Sequence, residues 1–184
     1  MGFPIHRFLI LIPMKKILFL LLLISSSVFS QTDKTGRKLP SVNIITLDGK
    51  NFSTDAFENN GKPIILSFWA TWCKPCVLEL TNMAELYDEW KEQTGVKIIA
   101  ISIDDARNQT KVAPFINGKG WEYEVYCDPN ADLKRALNIN LIPHTFLLNG
   151  NKEIVWQHSS YTEGDELKLI QRVKDLIAGV QIKE

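Results

Sequence analysis

The chain has 184 residues, 45% hydrophobic and 23% charged, with 21 basic and 21 acidic side chains. That length and apolar content suit one globular domain with a real core, and the even charge balance offers no basic footprint for nucleic acid. Three cysteines are too few for a disulfide framework, so any chemistry they do is local.

The N-terminus is a different material from the rest. Lys15 and Lys16 precede an uninterrupted apolar run from Ile17 to Ile24, then small polar residues and a Val-Phe-Ser stretch ending at Ser30. A basic start, a short apolar middle and a small residue before the cut are the order of a secretory signal. The run is also shorter than the ~20 residues of a comfortable membrane span. Residues 1–30 are expected to form a signal peptide cleaved after Ser30. Met14 is a better start for it than Met1, because Phe8 to Ile12 places a second apolar patch ahead of the lysines. An uncleaved membrane anchor is the other reading of the same pattern. Cleavage leaves 18 basic and 21 acidic side chains, in a domain sent to the periplasm or another extracytoplasmic space, where a disulfide persists.

Residues 31–40 are polar and aperiodic and read as a linker, with the folded domain spanning 41–184. Two short β-type runs flank Asp48-Gly49, a hairpin signal. "KPIILSFWA" is a continuous apolar strand of the kind buried on both faces of a sheet. The helix after it carries Cys76, Leu80, Met83, Tyr87 and Trp90 on one stripe and ends at Gly95. "VKIIAIS" is a second buried strand, and Asp104 to Gly120 is a helical segment that Pro114 either kinks or starts. "YEVYCD", "HTFLLN" and "EIVWQH" read as strands and "DLKRAL" as a short helix. A last helix from Glu163 to Ala178 is expected to face inward through Leu167, Ile170, Val173 and Ile177. Alternating strands and helices closed by a hairpin and helix predict an α/β sandwich: a central mixed β-sheet flanked by helices, with an N-terminal β-hairpin.

In "FWATWCKPC" (68–76) the change from buried strand to helix falls at Trp72-Cys73, and reactive groups collect where strand ends meet helix starts in such sheets. Cysteines three apart across a helix start can reach disulfide distance, about 5.5 Å between Cα atoms. Cys73 would lie where free backbone N–H groups, the helix dipole and Lys74 all favour a thiolate, and Pro75 suits the first helical turn. Cys76, on the inward stripe, then resolves the mixed disulfide from inside. A structural zinc site wants four ligands, and only Cys127, His144 and His158 remain, with no second close pair. An inert staple gains little from so short a loop.

"FWATWCKPC", followed seventy residues later by "IPHTFLL", resembles the thioredoxin superfamily. With the export signal and N-terminal hairpin, the chain is similar to the TlpA/ResA-like branch of extracytoplasmic thiol-disulfide oxidoreductases, from about Ser41 to the C-terminus. The resemblance implies a thioredoxin-like fold, a Cys73-Cys76 disulfide with Cys73 as nucleophile, and Pro143 as a cis-proline presenting Ile142 to an extended substrate. Trp72 would shield the disulfide or cover a docking surface. Glu79 matches an acidic residue of that branch and would shuttle the resolving thiol's proton; the plainer reading is a solvated first-turn glutamate. Two positions depart from the superfamily: Ser67 stands where thioredoxins carry a buried aspartate, and Thr81 where a helix-kinking proline is common. His144, in place of a threonine, either tunes the disulfide or is a hydrogen-bonded bystander. Cys127 reads as a buried small side chain, with a regulatory thiol as the alternative, and His158 as the inert end of a strand.

The resemblance points to a reductase of protein disulfides, with apocytochrome c among the substrates, a membrane thiol carrier as electron donor and no bound cofactor or metal. Competing functions are a thiol oxidant or isomerase, a thioredoxin-like copper chaperone using Cys73, Cys76 and His144, and a peroxidase, which would want a different local cysteine motif.

Overall fold

The computed structural model describes residues 36–182; the expected signal segment, its start and its cleavage position lie outside them. The chain order is β1 (Arg37–Lys38), β2 (Asn43–Thr46), β3 (Asn51–Ser53), a 3-10 turn, β4 (Ile64–Trp69), α1 (Lys74–Thr94), β5 (Lys97–Ser102), a second 3-10 turn, α2 (Val112–Lys119), β6 (Glu124–Cys127), α3 (Asp132–Ala136), β7 (His144–Leu148), β8 (Glu153–Ser159) and α4 (Asp165–Ile177). The eight strands form one sheet in the order β1-β8-β7-β4-β5-β6-β2-β3. β4, β5 and β6 run parallel, and every other pairing is antiparallel. This is the mixed α/β sheet and N-terminal hairpin expected from the sequence. No described helix is long and apolar enough to cross a membrane.

Every residue of β4 is buried, which is why its sequence is apolar without alternation. Helices cover the sheet on both sides. One apolar cluster joins Ile65, Trp69, Ile98, Ala100 and Leu147 to α1, α2 and α4. The other joins Ile64, Leu66, Phe68, Ile99, Ile101, Phe146 and Leu148 to α3.

α1 buries the stripe its spacing predicts, Cys76, Leu80, Met83, Tyr87 and Trp90, and Glu79 with them. It ends at Gly95, whose φ of 66° suits glycine and lets its N–H close onto the Lys91 carbonyl. At Thr81, where a kinking proline is common, α1 continues without a break, and the hydroxyl donates to the Val77 carbonyl at 2.7 Å. Pro114 marks a start: it is the third residue of α2, where its missing N–H has no intrahelical partner to lose.

Three expectations need correction. The stretch read as a linker through Pro40 contributes β1, with Arg37 and Lys38 paired to Ile154 and Glu153. Residues 104–108 are loop, and helical structure begins only at Gln109, because Asp104 is drawn into the interior and Asp105 caps a turn through the N–H groups of Arg107 and Asn108. In α4, Leu167 and Ile177 are 58% and 52% exposed, and the buried stripe is Glu166, Leu169, Ile170 and Val173. The phase of α4 is set by Glu166, whose carboxylate accepts from the Tyr161 hydroxyl at 2.6 Å and the Gly164 N–H at 3.0 Å.

Candidate active site

The segment between β4 and α1 is held by the two residues that follow β5. Ile103 N–H donates to the Trp69 carbonyl. Asp104, fully buried at the end of β5, accepts from the Thr71 N–H at 2.9 Å, the Thr71 hydroxyl at 2.7 Å and the Ser102 hydroxyl at 2.7 Å. A buried carboxylate needs such donors to offset its lost hydration. Asp104 thereby fixes the backbone two residues before Cys73. The signal for it was faint: an acid two residues past a buried strand.

Cys73 occupies the N-cap of α1, and its sulfur accepts from the Cys76 N–H at 3.3 Å. Lys74 and Pro75 fill the first two helical positions and are exposed. Cys73 and Cys76 are joined in a disulfide with Cα atoms 5.3 Å apart. Cys76 is wholly buried, Cys73 is 6% exposed and Trp72 beside it is 64% exposed. On reduction, a thiolate at Cys73 would face the N–H groups of the helix start.

β7 brings in the second motif. Its first residue, His144, pairs with Phe68, so the cis Ile142–Pro143 bond lies beside the end of β4 from which the cysteine segment departs. Pro143 is buried. Ile142 packs partly buried against the cluster that contains both cysteines.

Behind the disulfide lies a buried polar group. Glu79, one turn after Cys76, is 2% exposed, which excludes the solvated first-turn glutamate. One carboxyl oxygen accepts from the Thr145 hydroxyl at 2.9 Å, and Thr145 in turn lies 3.4 Å from the Ser67 hydroxyl. Ser67, at the thioredoxin aspartate position, thus adjoins the hydroxyl that holds Glu79. The other carboxyl oxygen, Oε2, is buried with no hydrogen-bond partner among the described residues. His158, directly across from Thr145 on β8, places Nε2 3.7 Å from Glu79 Oε1.

The two histidines exchange the places expected for them. His144 alternates onto the opposite side of β7, its ring against Phe146 at 4.6 Å in the cluster that lacks the cysteines. Burial holds its imidazole below the usual histidine range, against the raising effect of the Gln157 side chain, while the charges of His158 and Arg37 push the same way as burial. Cys73, Cys76 and His144 therefore do not converge. Among the described residues no three His, Cys, Asp or Glu side chains form a metal-ligating group. Cys127 is 3% exposed, and burial, with Asp104 adding to it, pushes its thiol up to about 11.

Residues 35–157 match the model of the AhpC/TSA family. The thiol-disulfide oxidoreductase ResA of Halalkalibacterium halodurans is 33% identical over 137 residues, 74% of each chain. The chain belongs to the AhpC/TSA family and, within it, to the ResA-like thiol-disulfide oxidoreductases. Among solved structures of this kind, a thioredoxin-like protein from Porphyromonas gingivalis is 49% identical, with a TM-score of 0.70 over 78% of this chain and 94% of that one. StoA from Bacillus subtilis is 27% identical, with a TM-score of 0.57 over 72% and 97%. The fold is thioredoxin-like, and the ResA-like pair Cys73-Cys76 makes the chain an oxidoreductase of thiols and disulfides.

Proposed function

We propose that the chain is an exported reductase of protein disulfides that works through a mixed disulfide at Cys73. The observation that carries this reading is the placement of Cys73: at a helix N-cap, bonded to a deeper Cys76, in a cluster against which Ile142 of the cis Ile142–Pro143 bond packs. In the reducing direction, the Cys73 thiolate attacks a substrate disulfide and releases one substrate thiolate. Cys76 gives its proton to Glu79 and attacks the Cys73 sulfur, so that the enzyme disulfide closes and the second substrate thiolate leaves. Lys74 and Pro75 tune the thiolate. Trp72, Ile142 and Pro143 receive an extended substrate segment, for which apocytochrome c is a candidate.

The reducing direction rests on similarity to ResA, and export rests on the order of Lys15-Lys16, apolar run and Ser30. A membrane thiol carrier would return electrons to the couple in an extracytoplasmic space. The test is the redox potential of the Cys73–Cys76 couple, measured alongside insulin reduction and oxidative refolding of a reduced protein. A potential near the reducing value of about −270 mV supports the reading, and one near about −120 mV with efficient refolding overturns it. Cell fractionation of the full chain tests export.

A further inference from the structure

Glu79 is enclosed. Cys76 and Met83 precede and follow it on the buried stripe of α1, Thr145 holds it from β7, and Tyr123 is close enough for the Glu79 charge to act on its hydroxyl. A proton that Glu79 accepts from Cys76 either waits there until the couple is re-reduced or passes on to solvent, and a route to solvent draws the transfer forward within the same turnover. Of the side chains around it, His158 both approaches Glu79 and reaches water: Nε2 is 3.7 Å from Oε1, and the side chain is 23% exposed. The ring is also oriented, stacked on Trp156 with centroids 5.2 Å apart and planes 20° from parallel. At 3.7 Å the pair is just beyond a hydrogen bond, a gap closed by a small ring rotation or one bridging water.

The other groups facing this cluster are poor proton carriers near neutral pH. Burial holds Tyr123 well above the usual tyrosine range. Tyr161, which donates to Glu166 and accepts from Asn82, is pushed up to about 12, chiefly by burial and then by Glu166. Glu166 is occupied by Tyr161 and the Gly164 N–H. Asp165 is near enough to feel the charge of His158 but is engaged by Lys168 and the Thr162 N–H. His144 lies on the other side of β7. Histidine is the side chain suited to give and take a proton between pH 5 and 8.

We propose that His158 is the positioning residue through which Glu79 exchanges the Cys76 proton with solvent. The inference rests on the reading that Glu79 serves Cys76. During closure of the enzyme disulfide, the Cys76 thiol proton passes to the Glu79 carboxylate. The protonated carboxyl passes it to Nε2, and the imidazolium releases a proton from Nδ1 to water. On reduction the same atoms run in reverse, so the chain is left unchanged over a full cycle.

The test is single-turnover stopped-flow reaction of the reduced full chain with 5,5′-dithiobis(2-nitrobenzoate), from pH 5 to 9 in weakly buffered solution. The first nitrothiobenzoate released reports attack by Cys73, and the second reports closure by Cys76. His158→Phe keeps the stack on Trp156 and removes the proton carrier; His158→Gln serves if the phenylalanine variant does not fold. The expected result is an unchanged first phase, a second phase slowed roughly tenfold with an altered pH profile, and recovery on adding free imidazole. If His158→Phe leaves the second phase at the wild-type rate while Glu79→Gln slows it, the relay is overturned and the Glu79 reading stands. A slowed phase that imidazole does not restore shows a structural role and overturns the relay as well. If Glu79→Gln also leaves the second phase unchanged, the Glu79 reading falls and the relay with it.

Discussion

The two sides of the central sheet are built from alternate residues of the same strands, yet they hold different kinds of interior. Toward α3, strands β4, β5 and β7 present Ile64, Leu66, Phe68, Ile99, Ile101, Phe146 and Leu148. Toward α1 and α4 the same strands present Ser67, Ser102 and Thr145 among their apolar residues: Thr145 bonds Glu79 and lies beside Ser67 and His158, and Ser102 bonds Asp104. The side toward α3 gains its stability chiefly from apolar burial, with His144 and the α3-capping Asp128 as its polar exceptions. The side toward α1 buries polar groups that must each find a partner, and it gathers the redox chemistry. A one-residue step along β7 therefore decides what a side chain does: Thr145 holds Glu79, while His144 and Phe146 on either side of it pack away from the site.

The sharpest break between the sides is expected at the cysteines. Cys73→Ser should abolish disulfide exchange in an insulin turbidity assay, and Cys76→Ser should accumulate mixed disulfides visible by mass spectrometry; normal turnover by either variant would contradict their assigned order. Next is Phe146→Ala, which removes a fully buried ring and should cost about 3–5 kcal/mol in urea unfolding of the reduced protein. Its thiol exchange rate should stay close to wild type while it is folded. Thr145→Val should cost about 1–3 kcal/mol by leaving Glu79 without its donor, and should slow closure by Cys76, so that one residue back along β7 the loss reaches chemistry as well as stability.

His144 offers a smaller, pH-dependent contrast. Its imidazole is held below the usual value of 6.5, mainly by burial, so the unfolded chain binds its proton more readily than the folded one. Its contribution is fully present above pH 6.5 and is lost as pH falls through the lower folded value. His144→Gln should flatten the fall in stability below pH 6.5, by at most one proton's worth of slope, in urea midpoints compared from pH 7 to pH 5. The smallest effect is a null one. With its thiol pushed up to about 11, Cys127 should resist iodoacetamide in the folded, reduced protein at pH 8 and react only after unfolding, a difference read by counting modified thiols.

The parts of this molecule legible in sequence are those set by local spacing. The stripe from Cys76 to Trp90 follows from helical periodicity and the Cys73 N-cap from the strand-to-helix change, while the cis-proline came only through the family resemblance that the Ile-Pro motif helps to carry. What escaped depends on strand register. Thr71 and Asp104 are 33 residues apart and Thr145 and Glu79 are 66 apart, and no pattern within either segment announces the meeting. His158 reads as the end of a strand until its pairing with Thr145 turns it toward Glu79. The phase of α4 escaped for a similar reason: two apolar stripes overlap on it, and a tyrosine outside the helix selects between them.

The outermost strands carry a further consequence. β1 is two residues long, both exposed cations, and β3 is three residues long. Open sheet edges recruit any extended chain by completing its backbone hydrogen bonds, and short, charged edges prevent that. On the proposed reading the chain acts on the disulfides of other proteins and meets unpaired polypeptide as part of its work. With its outermost strands only two or three residues long among the described residues, this sheet limits such pairing at its flanks but leaves the outer edge of β8 open from Val155 to Ser159, the run along which a visiting chain would pair first.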